Sequence, residues 1–73
     1  MEIHFAVLMH EYGSTGFCAR NEAELYRQLA EWVREYANKE TLRIELDKEL
    51  VNEYFEFEGQ DRGETLFVHC EEM

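Results

Sequence analysis

Residues 21–37, NEAELYRQLAEWVREYA, carry the clearest periodicity in the chain. Leu25, Tyr26, Leu29, Val33, Tyr36 and Ala37 recur at helical spacing with Trp32 beside them, while Glu24, Arg27, Gln28, Glu31, Arg34 and Glu35 fall on the opposite side. Asn21 followed by Glu24 has the form of a capping box, in which the Asn side chain accepts from first-turn amides and the glutamate reaches back. The spacing predicts an amphipathic helix from Glu22 to Ala37. It should end near Asn38-Lys39, where an Asn and a basic residue suit a helix C-terminus.

Such a helix needs an apolar surface to cover, and its flanks read as strands. Upstream, Ile3 to Met9 (IHFAVLM) sets Ile3, Phe5, Val7 and Met9 on one face and His4, Ala6, Leu8 and His10 on the other. Both faces are partly apolar, which suits an interior strand or one whose second face meets a partner. Tyr12-Gly13-Ser14-Thr15-Gly16 is turn chemistry leading into a short strand at Phe17 to Arg20, so a hairpin opens the fold. Downstream, Thr41 to Leu46 alternates Leu42, Ile44 and Leu46 against Arg43 and Glu45, the pattern of a half-buried strand. Asp47 to Glu53 reads either as a short helical turn with Leu50, Val51 and Tyr54 inward or as a turn into a strand. Phe55 and Phe57 alternate with Glu56 and Glu58, Gly59 to Gly63 form a loop, and Thr65 to Cys70 complete a second hairpin. The expected architecture is a single α+β domain over residues 1–73: an antiparallel sheet with one amphipathic helix on one face, in the order β-β-α-β-β-β.

The chain has 73 residues, with 17 Asp and Glu against 7 Lys and Arg and a net charge of -10. Solubility alone asks for a magnitude of roughly 2 to 8 in a small domain. With 45% hydrophobic and 14% aromatic residues it is too apolar for a disordered acidic tail. No apolar run approaches the ~20 residues of a membrane span, and Met1-Glu2-Ile3-His4 has no basic leader, so a cytoplasmic protein is expected. Cys18 and Cys70 then stay reduced and read as small core residues, with a disulfide as the lesser alternative.

Little in the chain points to catalysis. His4 and His10 share a strand face but lie roughly 20 Å apart, too far for one ion, and no C-x2-C or H-x3-H spacing occurs. His69 and Cys70 face opposite sides of their strand, which leaves a cross-strand pair such as His4 with His69 as the remaining metal candidate. Ser14 sits in a glycine turn that lacks the Lys-Ser/Thr of a phosphate-binding loop. Glu56 and Glu58, read as one strand face, would lie roughly 6.8 Å apart, within range of an acid/base carboxylate pair, but so small a domain offers little cleft around them. A non-enzymatic protein with no cofactor and no metal is expected.

Charge distribution says more. Through Ile44 there are seven acidic residues against five basic; from Glu45 onward there are ten acidic residues against Lys48 and Arg62. Such crowding costs folding energy that a simple scaffold would not need, and it suits either a partner with a basic groove or, as the alternative, a solvated acidic face kept for solubility. The candidate partner-binding residues are Glu45, Asp47, Glu49, Glu53, Glu56, Glu58, Asp61 and Glu64, with Tyr54 as an exposed aromatic anchor. Direct nucleic-acid binding is disfavoured by like-charge repulsion.

In size, acidity and one-helix α+β organisation the chain resembles the small anti-CRISPR and anti-restriction inhibitors of phages and mobile elements. That resemblance implies mimicry of DNA: an acidic protein occupying the nucleic-acid groove of a basic host protein. The strand-strand-helix opening, to about Tyr36, is also similar to HicB-type antitoxin domains. This implies the alternative of an antitoxin or regulatory interaction subunit working through an apolar sheet face. A small metal-dependent enzyme is a third possibility, and the two-sided apolar strand makes a homodimer an additional expectation.

Overall fold

The computed structural model describes residues 2–72. Its elements are β1 (Glu2–His10), β2 (Gly13–Ala19), α1 (Glu22–Tyr36), a 3-10 turn (Thr41–Arg43), α2 (Asp47–Glu56), the one-turn helix α3 (Glu58–Asp61) and β3 (Thr65–Glu72). The fold is α+β. Its three-stranded antiparallel sheet has the order β2-β1-β3, so the first and last strands lie side by side.

β1 is central, hydrogen-bonded to β2 on one side and β3 on the other, and is apolar on both faces. Ala6 and Leu8 point toward the helices and are almost fully enclosed, whereas Val7 and Met9 point away and stay exposed. The hairpin to β2 pairs His10 with Gly13, so the turn is Glu11-Tyr12 and the strand begins earlier than Phe17. Gly13, at φ +133°, takes a backbone conformation that a side chain would strain.

α1 forms where its periodicity requires. The Asn21 side chain accepts from the Glu24 amide at 2.8 Å, and Leu25, Leu29, Ala30 and Val33 are buried. The Ala37 amide closes the last turn on the Val33 carbonyl at 2.7 Å.

The second half departs from the strand reading. Thr41 to Leu46 is a 3-10 turn followed by an extended connection, with Leu42 and Leu46 exposed and Ile44 turned against the core. For Asp47 to Glu53 the helical alternative holds and runs on to Glu56, whereas the strand expected at Phe55 to Glu58 is absent and the expected loop begins as the one-turn helix α3. Leu50, Val51 and Tyr54 are all buried, and their helical spacing extends to Phe55. That stripe docks beside α1, a larger apolar contact than the two-phenylalanine alternation at Phe55 and Phe57 offers on a strand; Phe57 is left exposed. The expected order β-β-α-β-β-β is therefore replaced by two main helices on a three-stranded sheet. Gly63, at φ +76°, turns the chain out of α3, with the Glu64 amide donating to the Gly59 carbonyl at 2.8 Å.

The seam between the helices is aromatic. The Trp32 ring lies 4.6 Å from that of Tyr36, 5.9 Å from Tyr54 edge-on and 6.2 Å from Phe55 in a stack. Neither cysteine joins the core: Cys18 and Cys70 are exposed free thiols. Cys18 pairs with Phe5 and Cys70 with His4, neighbours on β1, which puts the two thiols on opposite faces of the sheet. Among the described residues no helix is long and apolar enough to cross a membrane.

Candidate functional site

α2 converts the acidic tail half into a surface. With Leu50, Val51 and Tyr54 facing inward, Glu49, Glu53 and Glu56 fall at i, i+4 and i+7 on the exposed side. At helical rise their backbone positions are spaced by about 6 and about 4.5 Å along the axis. Glu45, just before the helix, and Asp61, in α3, are exposed as well. None of these five carboxylates forms an ion pair with a described residue. Between α3 and the 3-10 turn opens a cleft of about 360 Å³, lined by Glu40, Glu53, Glu58 and Asp61 with Ile44 and Phe57.

The other nominated residues make contacts within the fold. Asp47 pairs with Arg34 of α1 at 2.8 Å. Glu58 is mostly enclosed: one carboxylate oxygen accepts from the Asn38 amide at 3.0 Å and the Thr41 hydroxyl at 3.2 Å, and the other lies 3.0 Å from the Arg62 guanidinium. Glu64 accepts the Tyr54 hydroxyl proton. Tyr54 is not an exposed anchor but one of the largest fully buried side chains. Burial, and then the bond to Glu64, push its ionisation well above the usual tyrosine range. Glu56 and Glu58 no longer share a strand face, since they sit on consecutive helices and Glu58 is engaged; that removes the geometry proposed for an acid/base pair.

Two further surfaces went unread or half-read in the sequence. The sheet face away from the helices exposes Val7, Met9 and Phe67 by 39%, 49% and 57%, with Ile3 and Phe5 half-buried farther along β1 on the same face. Two-sided hydrophobicity in β1 had signalled this face; Phe67 joins it through its register opposite Val7. A cleft of about 530 Å³ also lies where the hairpin turn meets α1, lined by His10, Tyr12, Trp32, Tyr36, Arg62 and Glu64. No sequence motif pointed to it, because its walls come from three distant segments.

The register also decides which groups can share a metal. His69 pairs with Phe5, their rings 5.0 Å apart, so it does not meet His4. Cys70 does: its sulfur lies 3.6 Å from His4 Nε2, which is in turn 3.3 Å from a Glu2 carboxylate oxygen. Desolvation first, and the carboxylates of Glu2, Glu22 and Glu72 next, raise the Cys70 thiol above its ordinary ionisation range. Glu22 is held to Lys48 of α2, whose hydrogen bond keeps the carboxyl ionised to below its usual range.

Comparison with protein-family models, with curated proteins and with solved structures finds no match to this chain.

Proposed function

We propose that this chain is a non-enzymatic, cytoplasmic inhibitor that lays the outer face of α2, with Glu45 and Asp61 at its flanks, into the basic nucleic-acid-binding groove of a partner protein. It would act by competition, as the small anti-CRISPR and anti-restriction proteins it resembles imply. The observation behind this reading is the row Glu49, Glu53, Glu56: carboxylates in line on one helix face, exposed and without an ion pair to any described residue. Like charges at i, i+4 destabilise a helix by about 0.2–0.5 kcal/mol per pair. A clustered Lys and Arg surface supplies the missing counter-charge, and the spacing is of the same order as that of phosphates along one nucleic-acid strand. Direct binding to nucleic acid is opposed by the same charges.

The test is affinity capture from the native host with wild type and with the Glu49→Gln, Glu53→Gln, Glu56→Gln triple variant. The expected partner is a nucleic-acid-binding protein, released between low and moderate salt and not retained by the triple variant. Retention by both proteins at high salt would rule the reading out.

A second reading rests on the uncovered sheet face. We infer that it docks a second copy of the chain, as a homodimer or a regulatory subunit would. Stacking two such sheets buries Val7, Met9 and Phe67, and it leaves the anionic helices on the two outer sides, far from each other. Small domains often draw stability from such a partner. Sedimentation equilibrium should give a dimer that Phe67→Glu converts to a folded monomer; a wild-type monomer at high concentration ends this reading.

A further inference from the structure

We infer that Glu2, His4 and Cys70 form a zinc-type metal site that ties the first strand to the last. Glu2 and His4 lie two residues apart on the same face of β1, and Cys70 sits directly opposite His4 on β3. Their donor atoms all fall within 4.8 Å of one another. A tetrahedral zinc ion, with bonds of about 2.0–2.1 Å to nitrogen and oxygen and about 2.3 Å to sulfur, sets nitrogen–oxygen and nitrogen–sulfur separations of about 3.3 and 3.5 Å. The protein presents 3.3 Å from His4 Nε2 to Glu2 and 3.6 Å from His4 Nε2 to Cys70 Sγ. These spacings are in place before any ion arrives.

Both contacts use the same ring atom, Nε2. A proton on Nε2 can be donated to Glu2 with the Cys70 sulfur only a weak second acceptor, whereas a cation in its place takes a lone pair from all three groups at once. On binding, the thiol proton leaves to solvent and sulfur ligates as the thiolate.

Thiolate, imidazole and carboxylate together favour zinc over calcium or magnesium, which take oxygen ligands. Three protein ligands leave a fourth position for water. The ion would fasten β3, largely exposed along its length, to the central strand near the two ends of the chain.

The reduced protein, cleared of metal by chelator, should be titrated with Co²⁺ and then with Zn²⁺. One Co²⁺ per chain should bind with a sulfur-to-cobalt charge-transfer absorption in the near ultraviolet, and an equivalent of Zn²⁺ should abolish it. Cys70→Ser should lose the band and weaken binding by at least tenfold, and His4→Ala should do the same. Cys18→Ser, on the far face of the sheet, should leave both unchanged. Circular dichroism checks the fold of each variant; Cys70 is exposed, so its substitution carries the test if His4→Ala does not fold. Absence of the band in wild type, or equal Co²⁺ affinity in wild type and Cys70→Ser, would overturn the site and leave only diffuse binding to surface carboxylates.

Discussion

α1 and α2 lie side by side and bury matching apolar stripes, yet their outer faces follow opposite rules. α1 has its exposed charges largely answered: Arg27 meets Glu31 at 3.2 Å one turn on, Arg34 crosses to Asp47 and Glu22 to Lys48 at the start of α2, and Asn21 caps the first turn. α2 starts at Leu46 with no side-chain cap, has no basic residue in its last turn, and carries Glu53 and Glu56 toward the end where the helix dipole disfavours anions. One helix is optimised to stand in water. The other is left with an electrostatic deficit on the side that faces out, and the proposed basic partner is the reading that supplies its counter-charge.

The contrast should vanish on the inner faces. Leu29→Ala in α1 and Leu50→Ala in α2, both fully enclosed, should each cost about 2–5 kcal/mol in denaturant unfolding. A much smaller loss for Leu50 would mean that α2 is only loosely docked, and the distinction between the helices would then be one of packing rather than charge.

Next in size is the buried polar link between α2 and the chain beyond it. Tyr54→Phe strips Glu64 of its hydroxyl donor and should cost about 1–3 kcal/mol at neutral pH. Because the folded-state ionisation of Tyr54 is raised above its unfolded value of 10.0, its contribution is complete below pH 10 and is lost as pH climbs past it. Stability curves between pH 8 and 11.5 should therefore show an alkaline decline in wild type that is shallower in Tyr54→Phe. Parallel curves would contradict the assignment.

The caps should respond with opposite signs. Asn21→Ala is expected to cost about 1 kcal/mol, whereas Leu46→Ser, placing a hydroxyl at the bare extended N-cap of α2, should gain up to about 1 kcal/mol. Smallest of all are the outer charges. Glu31→Gln should lower stability by about 0.3–0.5 kcal/mol through loss of its pair with Arg27, and Glu53→Gln should raise it by a similar amount. If Glu53→Gln also destabilises, α2 carries no electrostatic deficit and the argument from it fails.

How far these features could be read from sequence follows the range of the interactions. α1 was legible because its cap, stripe and polar face are all local, and β1 because two-sided hydrophobicity marks a central strand. Residues 41 to 61 were not. Their short runs fit either period, and what selects the helix is burial of Leu50, Val51 and Tyr54 beside α1, a contact between distant parts of the chain. The acidic bias was visible residue by residue, but its sorting was hidden: Asp47, Glu58 and Glu64 answer to Arg34, Arg62 and Tyr54, and Glu49, Glu53 and Glu56 to no described cation. The meeting of His4 with Cys70 rather than His69 depends on strand register, which no local pattern in β3 specifies.

The most direct test of the decoy is displacement. With the captured partner bound to a fluorescently labelled DNA or RNA duplex it recognises, the protein is titrated in and anisotropy followed. Wild type should release the duplex completely, with an inhibition constant that rises in proportion to duplex concentration and weakens steeply with salt, and the Glu49, Glu53, Glu56 triple Gln variant should release almost none. A ternary complex that keeps the duplex bound, or equal release by the variant, would contradict the account.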